Sequence, residues 1–163
     1  MGDFSSGRNS FIMNISDYLC KEAVILGLNA ASSEEVIREL GGKLHDQGFV
    51  KEDFIEAALE REANMPTGLP LGGEYNAAIP HVDIEYVNKS ALGLATLKDD
   101  VVFYNMVEDD VEVPCRLVIM LALDKPKSQI EMLQSVATVL QNPEIIQNLV
   151  HAKTTEEIFE ILS

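Results

Sequence analysis

Three histidines, His45, His81 and His151, are the side chains of this sequence best suited to carry a group or a proton near neutral pH. His81 stands apart by its setting. It follows Pro80, which fixes its own φ and biases Ile79 toward extended backbone, so the imidazole sits on a stiffened, strand-like shoulder. The small and apolar residues Ala77, Ala78 and Ile79 precede it, and Asp83 lies two positions on. A neutral imidazole held this way can act as a nucleophile, and a nearby cation would stabilise negative charge transferred to it. The same spacing also fits a half-buried histidine at a strand end. His45, on a predicted helix, and His151, near the C-terminal helices, have polar neighbours and read as surface residues.

Other chemistries leave no signature. No H-x3-H, C-x-x-C or carboxylate cluster has metal spacing, so no metal is expected. There is no G-x-S-x-G elbow, and the glycines of G-L-P-L-G-G (Gly68 to Gly73) match neither a phosphate loop nor a dinucleotide fingerprint. No cofactor is expected. Cys20 and Cys115 lie far apart in sequence and read as reduced thiols. The formal charge of −15 would repel nucleic-acid phosphates, which argues against a nucleic-acid partner and leaves room for a basic or basic-rimmed protein. The longest apolar run, Leu117 to Leu123, has seven residues. A membrane span needs about twenty, so this run predicts a buried strand and no membrane insertion. No signal peptide is read, and a cytosolic protein is expected.

The elements that must position His81 follow from periodicity. A chain of 163 residues fits one domain. The small, polar start, Met1 to Ser10, predicts a mobile tail, taken to run through residue 14, with the domain spanning 15–163. Val24 to Leu26 predicts a short first strand ended by Gly27. Ser32-Ser33-Glu34-Glu35 has the pattern of a capping box, followed by Val36, Ile37, Leu40 and Leu44 at helical spacing, with a stop at Gly48. Lys51 to Asn64 predicts a second helix whose last turn carries Arg61, where a cation suits the helix dipole.

The run from Met65 to Gly73 is turn-rich. Two strands, Ser90–Leu97 and Val101–Met106, are predicted on either side of a turn at Lys98-Asp99-Asp100, followed by an acidic loop from Val107 to Val113. Arg116 to Leu123 predicts the central strand, with Arg116 at its start paired to a carboxylate. A helix over Ser128–Leu140 would turn Ile130, Leu133, Val136, Ala137 and Leu140 inward, break at Asn142-Pro143, and resume from Glu144 to His151. A last helix is capped at Thr154. One α/β domain results.

R-E-x-x-x-P-T-G (Arg61 to Gly68), then A-I-P-H (Ala78 to His81), a strand ending in L-V-I, a helix, and a closing T-T-E-E-I-F-E-I-L together resemble the IIA component of the bacterial sugar phosphotransferase system, fructose–mannitol type. The resemblance runs from about Ile15 to Ser163, and the galactitol-like branch fits best. His81 is followed by Val82-Asp83 where the fructose and mannitol types usually have a glycine next. Gln129 stands at the helix start where those types commonly carry a second active-site histidine.

The resemblance implies a mixed β-sheet flanked by α-helices on both faces and a phosphohistidine intermediate. His81 would take phosphate on Nε2 from the phosphocarrier protein HPr and pass it to a cysteine of the IIB component, serving sugar entry through the membrane permease IIC. Arg61 would sit beside the phosphate, where a planar, permanently charged guanidinium fits. Gln129, in the first turn of its helix, would help hold the phosphate. The rival expectations are a regulatory IIA that reports phosphorylation state, and an interaction module that keeps the fold without the chemistry.

Overall fold

In a computed structural model that describes residues 13–163, the sheet forms around the most apolar stretch of the chain. Strand β5 (Glu112–Ala122) is the middle strand of a sheet of order β1-β4-β5-β3-β2, as expected for Arg116 to Leu123. Its neighbours are β4 (Ala91–Tyr104), antiparallel, and β3 (Asn76–Ala78), parallel. The short β2 (Gly68–Leu69) closes one edge antiparallel to β3, and β1 (Leu19–Leu28) closes the other parallel to β4. The sheet is therefore mixed, as expected.

Alternation along β5 explains why both faces are covered. Leu117, Ile119 and Leu121 point into one core with α1 (Ile15–Tyr18), α4 (Pro126–Leu140), α5 (Pro143–Val150) and α6 (Thr155–Leu162). Val118, Met120 and Ala122 point into the other, with α2 (Ser33–Asp46) and α3 (Phe54–Asn64). Each strand residue alternates face, so an unbroken apolar run is what a sheet buried on both sides requires.

The helix ends obey their caps. The Ser32 hydroxyl accepts from Glu35 N, while the Glu35 carboxylate accepts from Ala31 N, one residue further out than in a strict capping box. Gly48, at φ +81°, follows the end of α2 in the left-handed region. The Asn142 side chain accepts from Glu144 N and Ile145 N at the predicted break, and Thr154 caps α6 through Glu157 N.

Several expected boundaries move. The first strand begins at Leu19, five residues before Val24, and α3 begins at Phe54 rather than Lys51. The predicted pair of strands before β5 is a single strand, β4, that continues through Lys98-Asp99-Asp100. Its register against β5 shifts between Thr96 and Val101, so the polar triplet occupies an irregularity in one strand. The acidic loop ends two residues early, at Val111, since Glu112 already pairs with Tyr104.

Helix α4 begins at Pro126, two residues before Ser128, and its inward face is Met132, Ser135, Val136 and Leu140. Ile130, expected inside, is 58% exposed. Of the predicted tail, residues 1–12 lie outside the described residues. Asn14 caps α1 through Ser16 N, and Met13 N donates to the Ser135 hydroxyl. Among the described residues no helix is long and apolar enough to cross a membrane.

Candidate functional site

His81 is held by two neighbouring strands at once. Ala77 and Ala78 pair with Leu117 and Val118 of β5, and the alignment continues past the end of β3, where Leu121 N donates to Pro80 O at 2.9 Å and His81 bridges to Leu121. Proline offers no N–H at that point, so the ladder uses only its carbonyl. On the other side, Ile79 N donates to Thr67 O at 3.2 Å. The P-T-G segment that supplies Thr67 must itself lie close to the sheet. A Cβ on Gly68 would come within 2.6 Å of the Tyr104 carbonyl oxygen, so only glycine fits.

The imidazole is 9% exposed, and its Nδ1 lies 2.9 Å from Ile79 O. A carbonyl oxygen can only accept, so Nδ1 carries the proton and the lone pair of a neutral ring is on Nε2. Burial holds the imidazole pKa below 6.5. The hydrogen bond to Ile79 opposes that shift, the Arg61 charge adds to it, and the Asp83 charge opposes it. The ring faces a cleft of about 620 Å³ whose walls include Arg61, Thr67, Met106, Val107, Leu133 and Gln134.

Arg61 reaches this cleft from the last turn of α3, as its helical placement predicts. Its Nη1 donates to Asp83 Oδ1 at 3.2 Å. Its Nε is buried and, among the described residues, has no hydrogen-bond partner. Arg61 nevertheless lines the cleft, where its permanent charge suits an anion. The cleft thus brings together the His81 imidazole and the Arg61 guanidinium.

Two residues inside the R-E-x-x-x-P-T-G stretch went without a role in the sequence reading. The Glu62 carboxylate accepts from Thr67 N and from the Thr67 hydroxyl, both at 2.8 Å. This clamp ties the end of α3 to the segment that supports Ile79. Burial raises the Glu62 pKa above 4.5, against the two Thr67 hydrogen bonds and the Arg61 charge, which lower it. The motif's own spacing carried the signal: an acid five residues before a threonine can cap the loop that follows a helix.

Gln129 sits differently from its expected place. With α4 starting at Pro126, the Gln129 backbone N–H is already bonded to Lys125 O at 3.0 Å and is not one of the free donors of the helix start. Its side-chain Nε2 donates to Val82 O at 3.0 Å, bracing the residue that follows His81. The α4 side of the cleft is formed further along the helix, by Leu133, Gln134 and Ala137.

Arg116 pairs with Asp100 (Nε to Oδ1, 2.9 Å), as expected, and its guanidinium also lies over the Tyr75 ring at 5.4 Å. His45 and His151 are exposed, and Cys20 and Cys115 are buried free thiols, the latter with its pKa pushed up to about 12 by burial.

Comparison with known proteins shows what the chain as a whole is similar to. Residues 17–163 match the family model described as phosphoenolpyruvate-dependent sugar phosphotransferase system, EIIA 2. The galactitol-specific EIIA component of Escherichia coli K12 is 30% identical over 80% of this chain and 85% of its own length. The mannitol-specific EIICBA component of Buchnera aphidicola is 34% identical over 99% of this chain, which spans only 23% of that much longer protein. Among solved structures, the complex of enzyme IIAMtl with phosphorylated enzyme IIBMtl from Escherichia coli contains a chain 29% identical, matched over 88% of this chain and 96% of that one with a TM-score of 0.72. The chain therefore belongs to the EIIA 2 family of the phosphoenolpyruvate-dependent sugar phosphotransferase system, a family of phosphotransferase components.

Proposed function

We propose that this chain accepts a phosphoryl group on Nε2 of His81 from the phosphocarrier protein HPr and passes it to a cysteine of an EIIB component. The observation that carries this reading is the pairing, in one cleft, of the His81 ring, whose Nδ1 is engaged and Nε2 lone pair free, with the permanently charged Arg61. In the first transfer the Nε2 lone pair forms the P–N bond while the bond to the donor breaks and its electron pair returns to the donor. The proton stays on Nδ1, donated to Ile79 O throughout, so the ring gives up no proton as it is phosphorylated. In the second transfer the cysteine thiolate forms the S–P bond and the P–N electron pair returns to Nε2.

Arg61 supplies the charge that a phosphoryl group needs on its oxygens. Substrate uptake through a membrane EIIC component would follow, with galactitol or a related polyol as the cargo and the cytoplasm as the compartment. Support for a galactitol-type partner set comes from the 30% identity to the galactitol relative and from Gln129 in place of a second histidine. Retention of both His81 and Arg61 in one cleft speaks against an interaction module that has lost the chemistry.

Incubation with phosphoenolpyruvate, enzyme I and HPr should add one acid-labile, base-stable phosphate, and His81→Ala should add none. A phosphate that persists in that variant would overturn the assignment. Transfer onward to purified galactitol-type and mannitol-type EIIB domains then decides the cargo, with faster transfer to the galactitol type expected.

A further inference from the structure

We propose that Asp83 is a positioning residue for phosphoryl transfer: it holds the Arg61 guanidinium and, by competing for it, loosens the hold on the phosphoryl group. The proposal rests on the reading of His81 as phosphoryl acceptor. Asp83 engages Arg61 through Nη1 alone, at 3.2 Å, while Nε is left buried and without a partner among the described residues. A guanidinium is a rigid planar fork, so fixing one nitrogen fixes the direction of the others. With Nη1 held by Asp83, the plane of the guanidinium is fixed beside the cleft that His81 lines.

The backbone that carries the carboxylate is held on both sides. Gln129 Nε2 donates to Val82 O at 3.0 Å on one side, and Tyr86 N donates to Asp83 O at 3.3 Å on the other. The carboxylate is 67% exposed, so its ion pair adds little to folding stability. A role in the fold therefore does not account for it.

Once His81 carries a phosphoryl group, two anions share one cation. Asp83 and the phosphoryl oxygens repel each other, and each weakens the other's claim on Arg61. An intermediate that must be handed on is served by such competition, because a group bound too tightly would stay. The charge of Asp83 is felt at the imidazole, where it acts in the opposite direction to that of Arg61.

The test uses the full chain with phosphoenolpyruvate, enzyme I and HPr, measuring the phosphoryl equilibrium between HPr and the chain, then the rate of transfer to an EIIB domain. Asp83→Asn should shift that equilibrium toward the phosphorylated chain by about threefold to tenfold and slow the hand-off comparably. Asp83→Glu, which restores the charge, should move both values back toward wild type. An NMR titration of the His81 ring in Asp83→Asn should show a lower imidazole pKa than in the wild type, a change that a purely structural contact would not produce. If wild type takes no phosphate at His81, the reading of His81 as acceptor falls and this role with it. If wild type is phosphorylated normally while Asp83→Asn leaves the equilibrium unchanged or shifts it toward HPr, the role of Asp83 alone is overturned.

Discussion

The hydrogen bond from His81 Nδ1 to the Ile79 carbonyl, 2.9 Å long and spanning only two residues, selects the ring nitrogen that is free to react. It can form because Pro80 holds the intervening backbone extended, so the ring folds back over its own chain. Sequence-local geometry thereby fixes a chemical property, the tautomer, without help from any distant side chain.

That buried neutral ring predicts a pH signature. Burial lowers its pKa from 6.5, so between 6.5 and the folded value the unfolded chain takes up a proton that the folded chain refuses. Stability contributed at neutral pH is therefore lost as pH falls below 6.5 and through the folded value. Urea unfolding from pH 8 to pH 5 should show a smaller loss in His81→Gln than in the wild type. Parallel curves would mean that the ring titrates alike in both states.

Arg61 should matter for transfer far more than for folding. Arg61→Ala removes an ion pair that is largely exposed on the Asp83 side, and such pairs contribute about 0–1 kcal/mol. Loss of one charge-assisted bond to the phosphoryl group, about 1.5–3 kcal/mol, should slow transfer to EIIB by about tenfold to a hundredfold. Arg61→Lys should recover little, because an ammonium cannot bond Asp83 and phosphate as a planar fork does. Wild-type transfer rates in Arg61→Ala would leave the guanidinium with a structural role only.

Partner docking should depend on both apolar contact and charge. Met65 and Val107, 59% and 88% exposed, border the cleft that His81 faces, while the chain carries a net −15. Val107→Asp should weaken HPr binding, and the association rate with HPr should fall as salt rises, since acidic surfaces mainly speed encounter with basic partners. A salt-independent association rate would argue against an acidic rim.

Much of this was legible in the sequence because the relevant signals are local. Ser32, Asn142 and Thr154 announce helix starts through their own side chains, and each makes the cap its type suggests. The link from Arg61 to His81 came from the order of motifs, not from spacing along one element. What was not legible depends on tertiary pairing. Lys98-Asp99-Asp100 has the composition of a turn, but the neighbouring strand keeps it extended through a register shift. The inward face of α4 was misjudged at Ile130 because Leu133 and Ala137 point toward the cleft, so the apolar side of the helix serves two surroundings. Nothing in the sequence showed that the Gln129 amide would meet a carbonyl 47 residues away.

The Glu62–Thr67 clamp gives a separate stability prediction. Burial raises the Glu62 pKa above 4.5, so its contribution to stability is fullest below 4.5 and is lost as pH rises through the folded value. Glu62→Gln should flatten that pH dependence while keeping an acceptor for Thr67. Glu62→Ala should cost about 1–3 kcal/mol at neutral pH, because it strips the Thr67 N–H of its partner. Urea midpoints at pH 4.5 and 7 for the three proteins decide this, and equal midpoints for Glu62→Ala and wild type would dismiss the clamp.

Gln129 braces the segment that carries His81. Its amide holds Val82 O, and so the backbone between His81 and Asp83, at 3.0 Å. Gln129→Ala leaves that carbonyl without its partner and lets the His81–Asp83 segment loosen, so transfer should slow several-fold while His81 is still phosphorylated. The loss is modest because the Nδ1 bond to Ile79 and the backbone bond from Leu121 remain to hold His81. A neutral amide does not titrate in the working range, so Gln129→His should add a pH dependence of transfer between roughly pH 5 and 8 that the wild type lacks. Rates measured across that range with purified HPr and an EIIB domain test both points. If Gln129→Ala transfers at the wild-type rate, the amide does no more than tie α4 to a loop. If Gln129→His shows no added titration, the position lies too far from the phosphoryl group for its charge to be felt.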